Sequence, residues 1–101
     1  MAGDEAARER QKSFIDLLPP MLGDFLATDV RTDVERCDEL LAGLARARSG
    51  ERYAAYGNVY ELIVEPDGAM LTLLDDETEE SVALSLRALE NMLRAWRAVI
   101  D

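Results

Sequence analysis

Two runs of β-rich residues, Val59 to Glu65 and Ala69 to Leu74, flank Pro66-Asp67-Gly68, and this arrangement limits the fold more than any other part of the chain. Proline sets φ for the first turn position and aspartate tolerates the second. Glycine supplies the left-handed residue of a three-residue hairpin loop. With that loop, Tyr60, Leu62, Val64, Met70 and Leu74 are expected on one face, the better core candidate. Glu61, Ile63, Glu65, Leu71 and Leu73 then share the other, a mixture of acids and aliphatics suited to partial cover by a helix or a partner. A lone hairpin is marginal in water, so this one must pack on helices or gain a third strand, for which Val82 to Leu84 is the candidate.

Helical patterns lie on both sides. Asp4 to Lys12 mixes acids, bases and alanines with little to bury, so its first turns are expected to fray. Phe14, Leu17, Leu18, Met21, Leu22, Phe25 and Leu26 then form an amphipathic stripe, interrupted at Pro19-Pro20, with Pro20 opening the next helical segment. Val30, Val34, Cys37, Leu41 and Leu44, with Leu40 beside them, mark a second helix starting near Thr28 or Thr32 and ending at Ser49-Gly50. Tyr53, Tyr56 and Gly57 read as a linker. Ser85 offers an N-cap to a final helix whose core face is Leu86, Leu89, Met92, Leu93, Trp96, Val99 and Ile100. The expected fold is therefore α+β: N-terminal helices, an antiparallel hairpin with a candidate third strand, and a C-terminal helix packed on the sheet. At 101 residues, residues 1–101 form one domain.

Chemistry is harder to find. The chain has no histidine, which removes the commonest general base and metal ligand, and it has no glycine-rich phosphate loop. Its one lysine, Lys12, sits in the charged N-terminal stretch, and its one cysteine, Cys37, falls on an apolar helix face as a buried thiol. Asp75, Asp76, Glu77, Glu79 and Glu80 lack the ligand spacing and central glycine of a calcium loop. No enzyme, cofactor or metal site is expected. Nor is any stretch apolar over the roughly 20 residues that span a bilayer, and the expected compartment is the cytoplasm.

Charge is the sharper signal. The formal net charge is −10, from 21 acids and 11 bases, which disfavours direct binding of nucleic acid. Between Tyr53 and Leu86 stand eight acids and no lysine or arginine, so most of the excess belongs to the hairpin and the loop after it. Interleaved with Tyr60, Ile63 and Leu73, such a surface could mimic the anion that a basic, nucleic-acid-cutting protein expects. It could equally be a solubilising edge that discourages sheet aggregation. The candidate partner-binding residues are Glu61, Ile63, Glu65, Asp75, Asp76, Glu77, Glu79 and Glu80.

The run Leu41-Ala42-Gly43-Leu44 through Ser49-Gly50-Glu51-Arg52-Tyr53, then Gly57-Asn58-Val59-Tyr60-Glu61-Leu62, the Pro66-Asp67-Gly68 turn, and Leu84-Ser85-Leu86 leading to Leu93-Arg94-Ala95-Trp96-Arg97 resembles a small bacterial α-β-β-α pattern. It is similar to YacL-like proteins and to immunity proteins of contact-dependent growth inhibition systems, over the last two thirds of the chain. The N-terminal third departs from them, having a Pro-Pro-interrupted helix where the YacL-like proteins look more strand-like. The resemblance carries over no catalytic residue. It implies an immunity protein that neutralises a cognate toxin, of nuclease type, by acidic occlusion of a basic site. The alternative is an interaction or dimerisation module with no toxin partner, using the hairpin aliphatics or the Phe14 to Leu26 stripe to bind another protein or a second copy.

Overall fold

A computed structural model describes residues 2–75 and 80–101. Helix α1 runs unbroken from Ala2 to Asp16, and α2 spans Pro20–Phe25 with proline in its first turn. The chain break falls at Pro19-Pro20, as the clash of each proline with the residue before it requires. It also shifts the phase of the stripe. Leu17 lies past the end of α1 and is 86% exposed, while Ile15 packs against the core beside Phe14 and Leu18.

After α2 the helix widens into a π turn, Leu26–Val30, closed by the Arg31 N–H donating to the Leu26 carbonyl at 2.6 Å. The following helix, α3, spans Val34–Arg48 and is capped by Asp33, whose side chain accepts from the Arg36 N–H at 3.1 Å. The cap is thus neither Thr28 nor Thr32. The Thr28 hydroxyl is bonded to the Asp24 carbonyl, four residues back, and is unavailable for capping. Val30 joins the core from the π turn, which is why it had extended the helical stripe upstream. At the far end, Gly50 N–H bonds to the Ala47 carbonyl and Glu51 N–H to that of Arg46, a Schellman closure.

Four strands form an antiparallel meander in chain order among the described residues: β1 (Tyr53–Tyr56), β2 (Tyr60–Glu65), β3 (Gly68–Leu73) and β4 (Ser81–Leu84). The third hairpin strand expected near Val82 to Leu84 is β4. The fourth, β1, replaces the expected linker: Tyr-Ala-Ala-Tyr carries two residues of poor strand preference, and pairing with β2 decides its state.

The loop between β2 and β3 is shorter than expected by one residue. Glu65 pairs with Gly68, leaving only Pro66 and Asp67 in the turn. Proline holds φ near about −65°, opposite in sign to the turns two-residue hairpins favour, and Gly68 accommodates the mismatch at φ 156°. Removing one loop residue reverses every side chain of β3. Leu62 therefore pairs with Leu71 and Ile63 with Met70, so Leu71 is fully buried and Met70 is 43% exposed, the opposite of the expectation. Full burial of one leucine is worth about 1.5–3 kcal/mol, which fixes this register.

Helix α4, Leu86–Ile100, starts from Ser85, whose Oγ accepts from the Ala88 N–H at 3.0 Å. It packs on β3 and on α3, which in turn lies across β1 and β2. The core fills the space between these two helices and the inner sheet face, with Leu62, Val64 and Leu71 opposite Leu40, Leu44, Leu89 and Leu93. Cys37 is buried there. Its Sγ–H donates to the Leu93 carbonyl at 3.3 Å, and burial, aided by Asp38, pushes the thiol pKa up. Helix α1 packs outside this layer, against α2 and α4.

Candidate functional site

The helices cover one face of the sheet, so the register decides what the other face presents. Three cross-strand rows result. Tyr56, Glu61, Thr72 and Ser81 form the first, and Ala54, Ile63, Met70 and Ala83 the second. Glu65 and Gly68 form the third, beside the Asp67 turn. None of these residues is buried, and Tyr56 is 66% exposed. The face is an apolar band between two polar margins. Its first row is tied by a hydroxyl pair, Thr72 Oγ1 and Ser81 Oγ at 2.9 Å.

Glu61, Ile63 and Glu65 lie along this open face on β2, as their alternation demanded. Tyr60 is buried on the inner face with Leu62 and Val64, as the alternation predicts, and is no part of the acidic surface; Leu73, expected on the face of the acids, pairs with it on the inner face instead. Asp75 and Glu80 stand exposed at the end of the sheet nearer Glu61. The base of their loop is fastened by Leu73 N–H to the Glu80 carbonyl at 2.8 Å and Leu74 N–H to the Val59 carbonyl at 2.8 Å. Asp76, Glu77 and Glu79 lie outside the described residues. The acids do not make one cluster: Glu65 and Asp67 belong to the opposite end, about 17 Å from Tyr60 along a strand rising roughly 3.3 Å per residue. One residue upstream of the β1 pairing, Arg52 comes level with Glu65 and bounds the base-free surface there.

Two further acids join the Glu80 end from the N-terminal third. The Tyr60 hydroxyl donates to Asp24 Oδ2 at 2.7 Å, and Asp29 accepts from Val59 N–H at 3.1 Å and Tyr60 N–H at 2.8 Å. Desolvation first, then the Asp24 hydrogen bond and the charges of Asp24, Asp29 and Glu80, drive the Tyr60 pKa well above the ordinary phenol range. The acidic end is thus built by α2, the π turn and the β3–β4 connection together. No local pattern in the sequence could pair residues separated by 36 positions.

Bases gather elsewhere. Arg48 and Arg94 hold Glu90 at 2.7 and 2.9 Å, and Arg97 pairs with Asp38 at 2.8 Å, on the helical side of the molecule. Among the described residues no three of His, Cys, Asp and Glu are grouped to hold a metal ion, and no helix is long and apolar enough to cross a membrane. No protein-family model, curated protein or solved structure matches the chain.

Proposed function

We propose that the chain is a protein-binding module that holds a basic protein against its open sheet face, and that it acts as an immunity protein by occluding the basic cleft of a toxin domain of nuclease type. The observation that carries this reading is the face itself. Glu61 and Glu65 flank Ile63 on a sheet surface that no helix covers, with Tyr56 and Met70 exposed beside them and the ion-paired arginines of α3 and α4 on the helical side. An apolar band with acidic margins, broken only where Arg52 comes level with Glu65, supplies contact area at its centre and steering at its rim. Four strands about 4.8 Å apart, two about 20 Å and two about 13 Å long, present roughly 300 Å² in plan. A standard interface takes about 800 Å² from each partner. The partner therefore extends past the sheet onto the acidic end, where Asp75 and Glu80 stand exposed.

Homodimerisation through the same face is the weaker reading. Two copies related by a two-fold axis would oppose Glu61 and Glu65 with the same acids of the second copy, and Arg52 alone would offset them.

An immunity gene is expected to follow a toxin gene, so the test is whether a toxin domain is encoded beside this one and whether the chain binds it. The association rate should fall steeply as salt rises, and Glu61→Lys with Glu65→Lys should slow association while leaving folding intact. Salt-independent binding would remove the electrostatic mechanism. An unchanged rate in the charge-reversed protein would mean that the acids only keep the chain soluble.

A further inference from the structure

We infer that the helical side of the molecule carries a second site, independent of the sheet, for a small organic anion with an apolar body. A cavity of about 470 Å³ opens between α1, the Ala27–Thr32 stretch and α4. Its size is that of small-molecule sites. Three bases, Arg8, Lys12 and Arg31, line it together with Ile15, Ala27 and Trp96, and among the described residues no acid does.

In a chain of net charge −10 such a group needs a reason. Arg36, Arg48, Arg94 and Arg97 each have a carboxylate partner, while Arg8, Lys12 and Arg31, like Arg10, Arg46, Arg52 and Arg87, form no ion pair among the described residues; what sets the three apart is that they line one cavity. Arg8 and Lys12 stand one helical turn apart on the same face of α1. The arrangement places two cations where an anion can be held between them.

Arg31 adds a separate argument. At φ 59° and ψ −140° it is the one non-glycine with positive φ among the described residues. The backbone is held there from both sides: its N–H donates to the Leu26 carbonyl at 2.6 Å, and its carbonyl accepts the Trp96 indole N–H at 2.8 Å. A strained residue kept in place by its surroundings, bearing a cation at a cavity rim, is a common device of ligand sites. Trp96 is only 2% exposed and its indole N–H is already used, so the apolar floor of the cavity is Ile15 and Ala27 with little more than the edge of the Trp96 ring. The head group of the ligand, a carboxylate or phosphate, sits among the three bases, and its apolar part rests on that floor.

Trp96 is the only tryptophan in the chain, so its fluorescence reports on this cavity. Octanoate, octanol and octylammonium, matched in chain length, should be titrated against the full chain at low salt, following Trp96 emission and heat. Octanoate is expected to give a saturable change with a dissociation constant below about 1 mM, and octanol and octylammonium to bind at least about tenfold more weakly. The double variant Arg8→Gln, Lys12→Gln should weaken octanoate at least about tenfold and leave the thermal midpoint nearly unchanged, since both side chains are exposed and form no ion pair among the described residues. Arg31→Gln should act in the same direction and does not depend on how α1 tolerates change. Octanol binding as tightly as octanoate, no saturable response to octanoate, or unchanged affinity in both variants would each overturn the assignment. None of these outcomes bears on the sheet face, which shares no residue with the cavity.

Discussion

The N–H groups of Val59 and Tyr60, where the chain enters β2, are both satisfied by the carboxylate of Asp29, half-buried in the π turn. Removing it leaves two partly buried donors without a partner, at a cost of about 1–3 kcal/mol. Asp29→Ala should therefore lower the urea midpoint by that equivalent, and Asp29→Asn, which keeps one acceptor oxygen, by less. A loss below about 0.5 kcal/mol would mean that water replaces the carboxylate. The two aspartates of this neighbourhood are the part of the candidate site that the sequence hid. Asp24 and Asp29 occur in a helical stretch and look like ordinary solvated acids until the fold carries them to the sheet. Glu61 and Glu65 were legible because strand alternation places a residue on a face without help from distant partners.

Helix α3 and strand β1 approach closely because Gly43 has no side chain. A Cβ at that position would run into the ring of Tyr53. In an exposed helix, replacing glycine by alanine gains roughly 1 kcal/mol from propensity. Here the overlap should reverse the sign, and Gly43→Ala is expected to destabilise by about 1–3 kcal/mol as α3 and β1 are forced apart. Chemical denaturation decides between the two signs, and a stabilised variant would mean that the Tyr53 ring swings away freely. At this scale the sequence was most informative where a local signal was sufficient. The Ser85 cap, the Pro19-Pro20 break and the Ser49-Gly50 stop all stand where their own chemistry puts them. It failed where a neighbour decides: β1 exists through β2, and the facing of β3 depends on whether Gly68 belongs to the loop or the ladder.

For the molecule as a whole, Glu90 ties the two central helices together, receiving Arg48 from α3 and Arg94 from its own helix. These hydrogen bonds, Arg48's first, hold its carboxyl pKa below the ordinary range, against a smaller opposing effect of desolvation. A carboxylate depressed in the folded state contributes stability that is present above its unfolded value, about 4.3, and is lost as pH falls through the lower folded value. The thermal midpoint of Glu90→Gln should thus lie below that of the parent near neutral pH, and the gap should close as pH drops below about 4. A gap constant with pH would assign the loss to packing. Self-repulsion of the net −10 chain relaxes over the same range, so the comparison with the parent carries the result and neither curve does alone. The helix that bears Glu90 also supplies Leu89, Met92, Leu93 and Trp96 to the core, after everything they pack against has been synthesised. Hairpins form within about 10 μs, while translation adds about 5–20 residues per second, so synthesis and not strand pairing sets the pace at which the core is completed. Until α4 is made, Phe14, Ile15 and the β3 side of the inner sheet face, which α3 does not cover, stay bare, which makes the nascent chain a natural client for chaperones that bind apolar surface.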